Sequence, residues 1–355
     1  MRAEDAQVYA WRLEFGETLR PLLTLAINCY KFERFIDEAL EGAFEQTYRP
    51  LEIVVSDDCS PDGSWQHILD KVASRFPNAP LDRQANCQTL VLSDPPSSSS
   101  PTSQTSPNFL SLTLNRNPTN LGLARHENRL FELSHGEWIA FQSGDDVSVP
   151  NRLEEIAKVI CDNHKIQCLH SAVDMIDGTG KTLLVDKSFR QTSRGRGNGL
   201  PNVLGAGAVY HRDVYMKFGP LGAKVANEDH VLPLRAGLLG DVKFLSMPLV
   251  KYRKHGENAS GCFTNDVDVA IRYRLRLIYT IYQELADLHT AEWGGLAPLH
   301  VIRRYRQLLE DDMFVQWFLG YWSRDRSQRG YLLLKLFASP RWMFVFVKRF
   351  FGRIF

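Results

Sequence analysis

Between residues 20 and 145 long apolar runs alternate with helix-period stripes, and this alternation leaves few folds open to the chain. Residues 21–27 (PLLTLAI) form a continuous apolar run that opens on proline, the pattern of a strand buried on both faces of a parallel sheet. Phe35, Ile36, Ala39, Leu40, Ala43 and Phe44 then recur at helical spacing and make one apolar stripe. Residues 51–56 (LEIVVS) read as a second strand. Ile68, Leu69, Val72 and Phe76 suggest a second helix. Strand, helix, strand, helix is the signature of right-handed βαβ units. Further strands are expected at 110–115 (LSLTLN) and 138–142. Helices are expected over 123–135 and from Pro150 to about Asn163, with proline in the first turn. The expected fold class is therefore α/β, with a mainly parallel central sheet flanked by helices.

Beyond residue 165 the pattern loosens. The stretch 165–225 reads as irregular, and 242–252 (VKFLSMPLVKY) as a strand-pair region. From about 267 onward it is mainly helical. We expect a first domain over 1–262 and a helical C-terminal region over 263–355. Two stretches look like surface loops: the Ser/Pro-rich 94–107, and 193–199 (SRGRGNG), whose Arg194 and Arg196 suit a solvated loop better than a phosphate clamp.

The chain has 355 residues, 44% of them hydrophobic, enough for a large core. A net charge of +1 gives no global attraction to nucleic acid, which is not an expected partner. The six cysteines show no paired or zinc-ligand spacing, so free thiols in a reducing compartment are expected. The N-terminus is charged and reads as neither a signal peptide nor a membrane span. The expected location is the cytoplasm. At the other end, Met343, Phe346, Val347, Phe350, Phe351 and Ile354 share a helical face, with Lys348, Arg349 and Arg353 off it. Such a basic amphipathic segment suits two roles: peripheral contact of 341–355 with the inner face of the cell membrane, or docking on its own domain or on a second subunit of a homo-oligomer.

Two carboxylate pairs mark the chemistry. Asp57-Asp58 closes the strand at 51–56, and Asp145-Asp146 closes the strand at 138–142. In an open α/β sheet ligands bind outside the carboxyl ends of strands. Carboxylates crowded there repel one another unless a cation or a donor-rich ligand joins them. Hard oxygen ligands favour Mg²⁺ or Mn²⁺ shared with phosphates. The plainer alternative is that these acids cap turns and helices.

Three blocks make the pattern specific: 21–64, 115–154 (NRNPTNLGLARHENRLFELSHGEWIAFQSGDDVSVPNRLE) and 226–260 (ANEDHVLPLRAGLLGDVKFLSMPLVKYRKHGENAS). In this order they resemble the family 2 glycosyltransferases of the GT-A fold. The resemblance implies a role for each matching position. Asn28 and Tyr30 would lie where the first strand opens onto the nucleotide base. Asp58, with Asp57 beside it, would contact the nucleoside. Asn120, Gly122 and Asn128 belong to the block before the metal strand. Asp145 and Asp146 would bind a metal at the donor diphosphate, helped by His255. Asp229 would be the general base, with Glu228 in reserve, and Arg253 would lie near the diphosphate. The implied reaction is inverting transfer of a hexosyl or N-acetylhexosaminyl group from a nucleotide-diphosphate sugar, UDP-linked favoured, to a hydroxyl of a saccharide or lipid-linked saccharide. It would be assisted by Mn²⁺ or Mg²⁺ and serve polysaccharide or glycolipid assembly.

Three positions depart from the family's pattern. Lys31 stands where asparagine is usual. Gln142-Ser143-Gly144 replaces Leu-Asp-Ser, which removes the first acid of the metal motif. Glu127 stands where arginine is common. A nucleotidyltransferase, the main rival, would want a glycine- and base-rich phosphate loop after the first strand, but NCYKFERF follows instead. A non-catalytic nucleotide-sugar-binding protein is the third reading.

Overall fold

The computed structural model describes residues 20–93, 109–184, 200–201, 203–256 and 267–324. The chain divides into two compact units. One takes in Met1–Asn120 and Leu130–His164, the other Leu121–Arg129 and Lys165–Phe355. The segments 94–107 and 341–355, Arg194, Arg196 and Cys262 lie outside the described residues.

The first unit opens as its apolar runs require. β1 (Leu23–Cys29) and β2 (Leu51–Asp57) pair in parallel, residue for residue, from Leu23 opposite Leu51 to Cys29 opposite Asp57. Every residue of β2 is buried, so neither face tolerates the polar alternation of a solvated strand. α1 (Ile36–Phe44) lies between them in the chain and buries Ile36, Ala39, Leu40, Ala43 and Phe44, the stripe expected from spacing. α2 (Ser64–Arg75) follows β2. In chain order β3 (Cys87–Ser93) and β4 (Phe109–Arg116) come next, then α3 (Leu123–Leu133), whose residues to Arg129 belong to the second unit, β5 (Trp138–Ser143), the two-residue β6 (Val147–Ser148) and α4 (Arg152–Asp162).

Within this unit the strand order is β3-β4-β2-β1-β5. β4, β2, β1 and β5 are all parallel; only the edge strand β3 is antiparallel. β3 is an addition to the expected strands. Leu90 and Leu92 are buried while Val91 between them is exposed, the short alternation of an edge strand with one wet face. The order places β1 between β2 and β5, so the carboxyl end of β1 is the switch point where an α/β sheet takes its ligand.

The second unit contains β7 (Ile166–Asp177), β8 (Thr182–Leu184), β9 (Ala208–His211), α5 (Asp213–Met216), α6 (Glu228–Leu239), β10 (Asp241–Lys254), α7 (Val267–Trp293) and α8 (Leu299–Arg324). β9 and β8 pair antiparallel with β7, and β10 pairs parallel with it. The stretch expected to be irregular thus holds a twelve-residue strand. The expected strand pair at 242–252 is instead one long strand. Its register on β7 shifts on either side of Pro248. Proline has no N–H for the ladder, and the resulting irregularity imitates a turn in the sequence. The helices of this unit enclose their own core of Leu200, Leu234, Leu238, Ile281, Leu288, Ala291, Ile302 and Leu309. Among the described residues no helix is long and apolar enough to cross a membrane. Five described cysteines are free thiols.

Candidate active site

The end of β1 organises the first unit's acids. The Asp58 N–H donates to the Cys29 carbonyl at 2.8 Å, and the Gly144 N–H donates to the Asn28 carbonyl at 2.8 Å. Two consecutive residues of β1 therefore carry the acidic turn after β2 on one side and the acidic turn after β5 on the other. The close approach explains Gly144: a Cβ there would stand 3.0 Å from the Asn28 carbonyl oxygen and 3.0 Å from the Phe32 ring.

On the β2 side the two acids differ in role. Asp57 is fully buried; its Oδ2 accepts the Ser60 N–H at 3.0 Å and lies 3.5 Å from the Arg116 Nε. Burial raises its carboxyl above the ordinary range, against those hydrogen bonds and Arg116. Asp57 thus braces its own turn. Asp58 is held by a chain of amides. Asn115 Nδ2 donates to Ser56 Oγ and to Asn117 Oδ1, each at 2.9 Å, and Asn117 Nδ2 donates to Asp58 Oδ1 at 2.9 Å. Asn115 and Asn117 are buried and were not legible as site residues, because an asparagine ending a strand reads as a turn former. The loop after β1 is tied in by the Lys31 N–H, 3.0 Å from Ser60 Oγ. Lys31 has φ of 61°, in the left-handed region where asparagine is favoured and most other side chains are strained. That accounts for the asparagine usual at this position in similar chains. Tyr30 beside it is exposed, and the Lys31 ammonium lies 5.3 Å from the centre of its ring.

On the β5 side Asp145 and Asp146 are both buried, and the Asp146 N–H closes the turn onto the Ser143 carbonyl at 3.0 Å. Gln142, one of the departures, braces this turn from within. Its Nε2 donates to the Asp146 carbonyl at 3.0 Å and its Oε1 accepts the Ser148 hydroxyl. Ser148 in turn accepts from Arg152 Nη1 at 2.9 Å, and Arg152 Nη2 donates to the Phe141 carbonyl at 3.0 Å. Arg152 is fully buried. Burial lowers its guanidinium to about 10, and the charge of Asp146 works the other way. Asp145 and Asp146 suit a hard divalent ion held by one or two carboxylates, with the remaining oxygens from a substrate diphosphate. Among the described residues no group of three or more His, Cys, Asp or Glu side chains is arranged to hold a metal by itself.

The second unit has an acidic neighbourhood of its own. Glu228 and Asp229 form the first turn of α6, where backbone N–H groups and the helix dipole favour negative charge. Both keep partial solvent access. Burial, then the charge of Asp229, pushes Glu228 up to about 8, against the first-turn N–H groups. Glu127, on α3, is buried and also held well above the ordinary carboxylate range, first by burial and then by Glu228 and Asp229. The resemblance offered no role for an acid at this position.

The remaining expected residues fall as follows. Asn120 is exposed. Gly122 has φ of 76°, a conformation that needs glycine, and its carbonyl accepts the His126 N–H as α3 begins. Asn128 clamps Leu221, donating to its carbonyl and accepting its N–H, each at 2.8 Å. Arg253 is fully buried on β10 and donates to the Asp177 carbonyl at 3.2 Å. His255 is half-buried beside Gly178.

The mainly parallel α/β sheet, with acidic turns at its switch strand, is of the GT-A kind. The fold is similar to that of Staphylococcus aureus TarS 1-349 in complex with UDP-GlcNAc, with a TM-score of 0.50 and 16% identity over 83% of this chain and 81% of that one. It is also similar to the mannosyltransferase PcManGT from Pyrobaculum calidifontis, in complex with GDP-Man and Mn²⁺. That TM-score is 0.52, with 17% identity over 95% of this chain and 84% of that one. In sequence the chain is 26% identical to an uncharacterized glycosyltransferase of Nostoc sp. over 248 residues, 66% of each protein, so a third of that relative lies outside the match. The model of glycosyl transferase family 2 matches residues 24–86 and 95–219, and the chain belongs to this family.

Proposed function

We propose that the protein transfers a sugar from a nucleotide-diphosphate donor to a hydroxyl of a saccharide or lipid-linked saccharide, with inversion at the anomeric carbon. One observation carries the reading: the Asp58 turn and the Asp145-Asp146 turn hang from adjacent carbonyls of β1, Cys29 and Asn28. In this reading Asp58, with Asn28 and Tyr30, receives the nucleoside, and Asp57 fixes the turn that presents it. Asp145 and Asp146 would hold Mn²⁺ or Mg²⁺, which when bound stabilises the charge gathering on the departing diphosphate. Asp229 accepts the proton of the attacking hydroxyl, since a single displacement needs one base on the acceptor side. Support for the donor class also comes from the fold relatives, one bound to UDP-GlcNAc and one to GDP-Man with Mn²⁺. A UDP-linked hexose or N-acetylhexosamine is the favoured donor. Work at the inner face of the cell membrane, in polysaccharide or glycolipid assembly, is the favoured setting.

The direct test is a panel of nucleotide sugars, with and without Mn²⁺, scored by nucleoside diphosphate release. Release from one donor, stimulated by the metal, is expected. Silence across the panel with a lipid-linked acceptor present would count heavily against the reading. A finer expectation concerns the amide chain: Asn117→Ala removes the donor to Asp58 and should weaken donor binding about tenfold, since a hydrogen bond to a charged group contributes about 1.5–3 kcal/mol before relaxation. Calorimetric titration with the donor measures this, and unchanged affinity would show that Asp58 needs no such support.

A further inference from the structure

Among the described residues, Lys31 and Cys59 are the two non-glycine positions with positive φ, at 61° and 59°. They stand in the two loops that the end of β1 brings together: Lys31 after β1, and Cys59 next to Asp58 after β2. The loops are stitched to each other. The Lys31 N–H donates to Ser60 Oγ at 3.0 Å, the Phe32 N–H to Ser64 Oγ at 2.9 Å, and the Gly63 N–H to Glu33 Oε2 at 3.0 Å. Ser60 is buried, and its own N–H is held by Asp57. The turn that presents Asp58 thus fixes the Lys31 backbone in a left-handed conformation, which asparagine adopts with less strain. A lysine on a strained backbone at the ligand end of a sheet points to a use for its side chain.

The charges at this end supply that use. Asp57, Asp58, Asp145 and Asp146 gather at the two turns hung from β1, and a donor diphosphate would add negative charge to them. Other cations of this unit are engaged. Arg116 lies against Asp57 and donates to the Ser60 carbonyl at 3.2 Å. Arg152 is buried and donates to Ser148 and to the Phe141 carbonyl. Arg34, exposed in the same loop as Lys31, lies over the buried Phe35 ring. Lys31 differs from all three. It is exposed, its ammonium lies 5.3 Å from the centre of the exposed Tyr30 ring, and among the described residues it pairs with no carboxylate. An aromatic face suits a flat, neutral base, and a compact ammonium suits the charged phosphates that follow it. Ser143 also stands where similar chains carry an acid, so this end has one carboxylate fewer and one cation more than their pattern.

We propose that Lys31 is a donor-binding residue whose ammonium takes up the diphosphate of the nucleotide sugar, so that the chain's own cation holds part of the donor's charge. The proposal rests on the reading of the β1 end as the nucleotide site, and its test separates the two. The full chain is titrated calorimetrically with UDP and GDP, and with uridine and guanosine, first in EDTA and then with Mn²⁺. In EDTA, Lys31→Asn should weaken binding of the preferred diphosphate about tenfold, the effect of losing a hydrogen bond to a charged group. Binding of the matching nucleoside should be unchanged. Raising the salt concentration should shrink the difference, since an exposed charge is screened. Lys31→Arg should keep most of the affinity. Arg34→Gln, which removes a cation from the same loop, should stay within about twofold of the wild type. The melting temperature of Lys31→Asn should equal or exceed that of the wild type, because asparagine suits this backbone. Affinity lost while stability is kept marks a binding residue. Equal diphosphate affinity in the wild type and Lys31→Asn would overturn the proposal. So would an equal loss for the nucleoside, an equal loss in Arg34→Gln, or a lowered melting temperature in Lys31→Asn. If the wild type binds UDP or GDP with Mn²⁺ but neither in EDTA, the proposal fails while the site reading stands. If it binds neither under any condition, the site reading fails and the proposal with it.

Discussion

Asp229→Asn is expected to bind the nucleotide sugar as the wild type does and to lose transfer by about 10²–10⁴-fold, the usual contribution of a positioned general base. The substitution keeps the size and hydrogen-bonding shape of the side chain but removes its ability to take a proton. Donor affinity should be spared, because Asp229 is read as facing the acceptor hydroxyl and not as a donor-binding residue. The loss should therefore fall on kcat, with the donor Kd unchanged in calorimetric titration. Glu228→Gln should cost less, since Glu228 is raised by burial and by Asp229 and holds a proton more readily. If Asp229→Asn abolishes donor binding, Asp229 belongs to the donor site and the base must be sought elsewhere.

How much of this is legible in the sequence depends on where the information lies. β1 and β2 are buried on both faces, so their apolar runs are unambiguous, and the acids at their ends stand out against them. α1 shows its stripe for the same reason. β7 is not legible because its buried positions include Cys168, His170, Ser171 and Ala172, a mixture that does not look apolar. β10 reads as two strands because Pro248 breaks the ladder without ending the strand. The site divides similarly. Asp58, Asp145, Asp146, Glu228 and Asp229 are visible as acids at element ends. Asn115, Asn117, Gln142 and Arg152 are not, because their work is to hold other residues, and only tertiary contact reveals which. Asp57 and Asn128 are visible but ambiguous. One braces its own turn and the other clamps Leu221, roles that motif spacing does not distinguish from ligand contact.

The largest effect on stability is expected from Arg235→Met. Arg235 on α6 and Asp287 on α7 are 0% and 1% exposed, and they meet through two hydrogen bonds, Nε to Oδ2 at 2.7 Å and Nη2 to Oδ1 at 3.1 Å. Arg235 Nη1 also donates to the Gly219 carbonyl at 2.7 Å, and Gln283 donates to Asp287 at 3.0 Å. Burial raises the Asp287 carboxyl, and Arg235 is the main influence opposing it. Methionine would fill much of the space but leave Asp287 buried without its cation, at a cost of about 3–5 kcal/mol. The loss should be greatest at neutral pH. It should shrink under mildly acidic conditions, because a raised carboxyl regains stability for the fold as it takes up a proton. Arg235→Met combined with Asp287→Leu should recover most of the loss, since it removes both charges from an apolar core. Denaturant unfolding of the two single variants and the double variant measures the coupling. Equal losses in the single and double variants would mean that packing, rather than the ion pair, joins these helices. Since α6 begins with Glu228 and Asp229, the same variants ask whether the pair also steadies the proposed base: a kcat that falls in Arg235→Met and returns in the double variant would link the buried pair to the start of that helix.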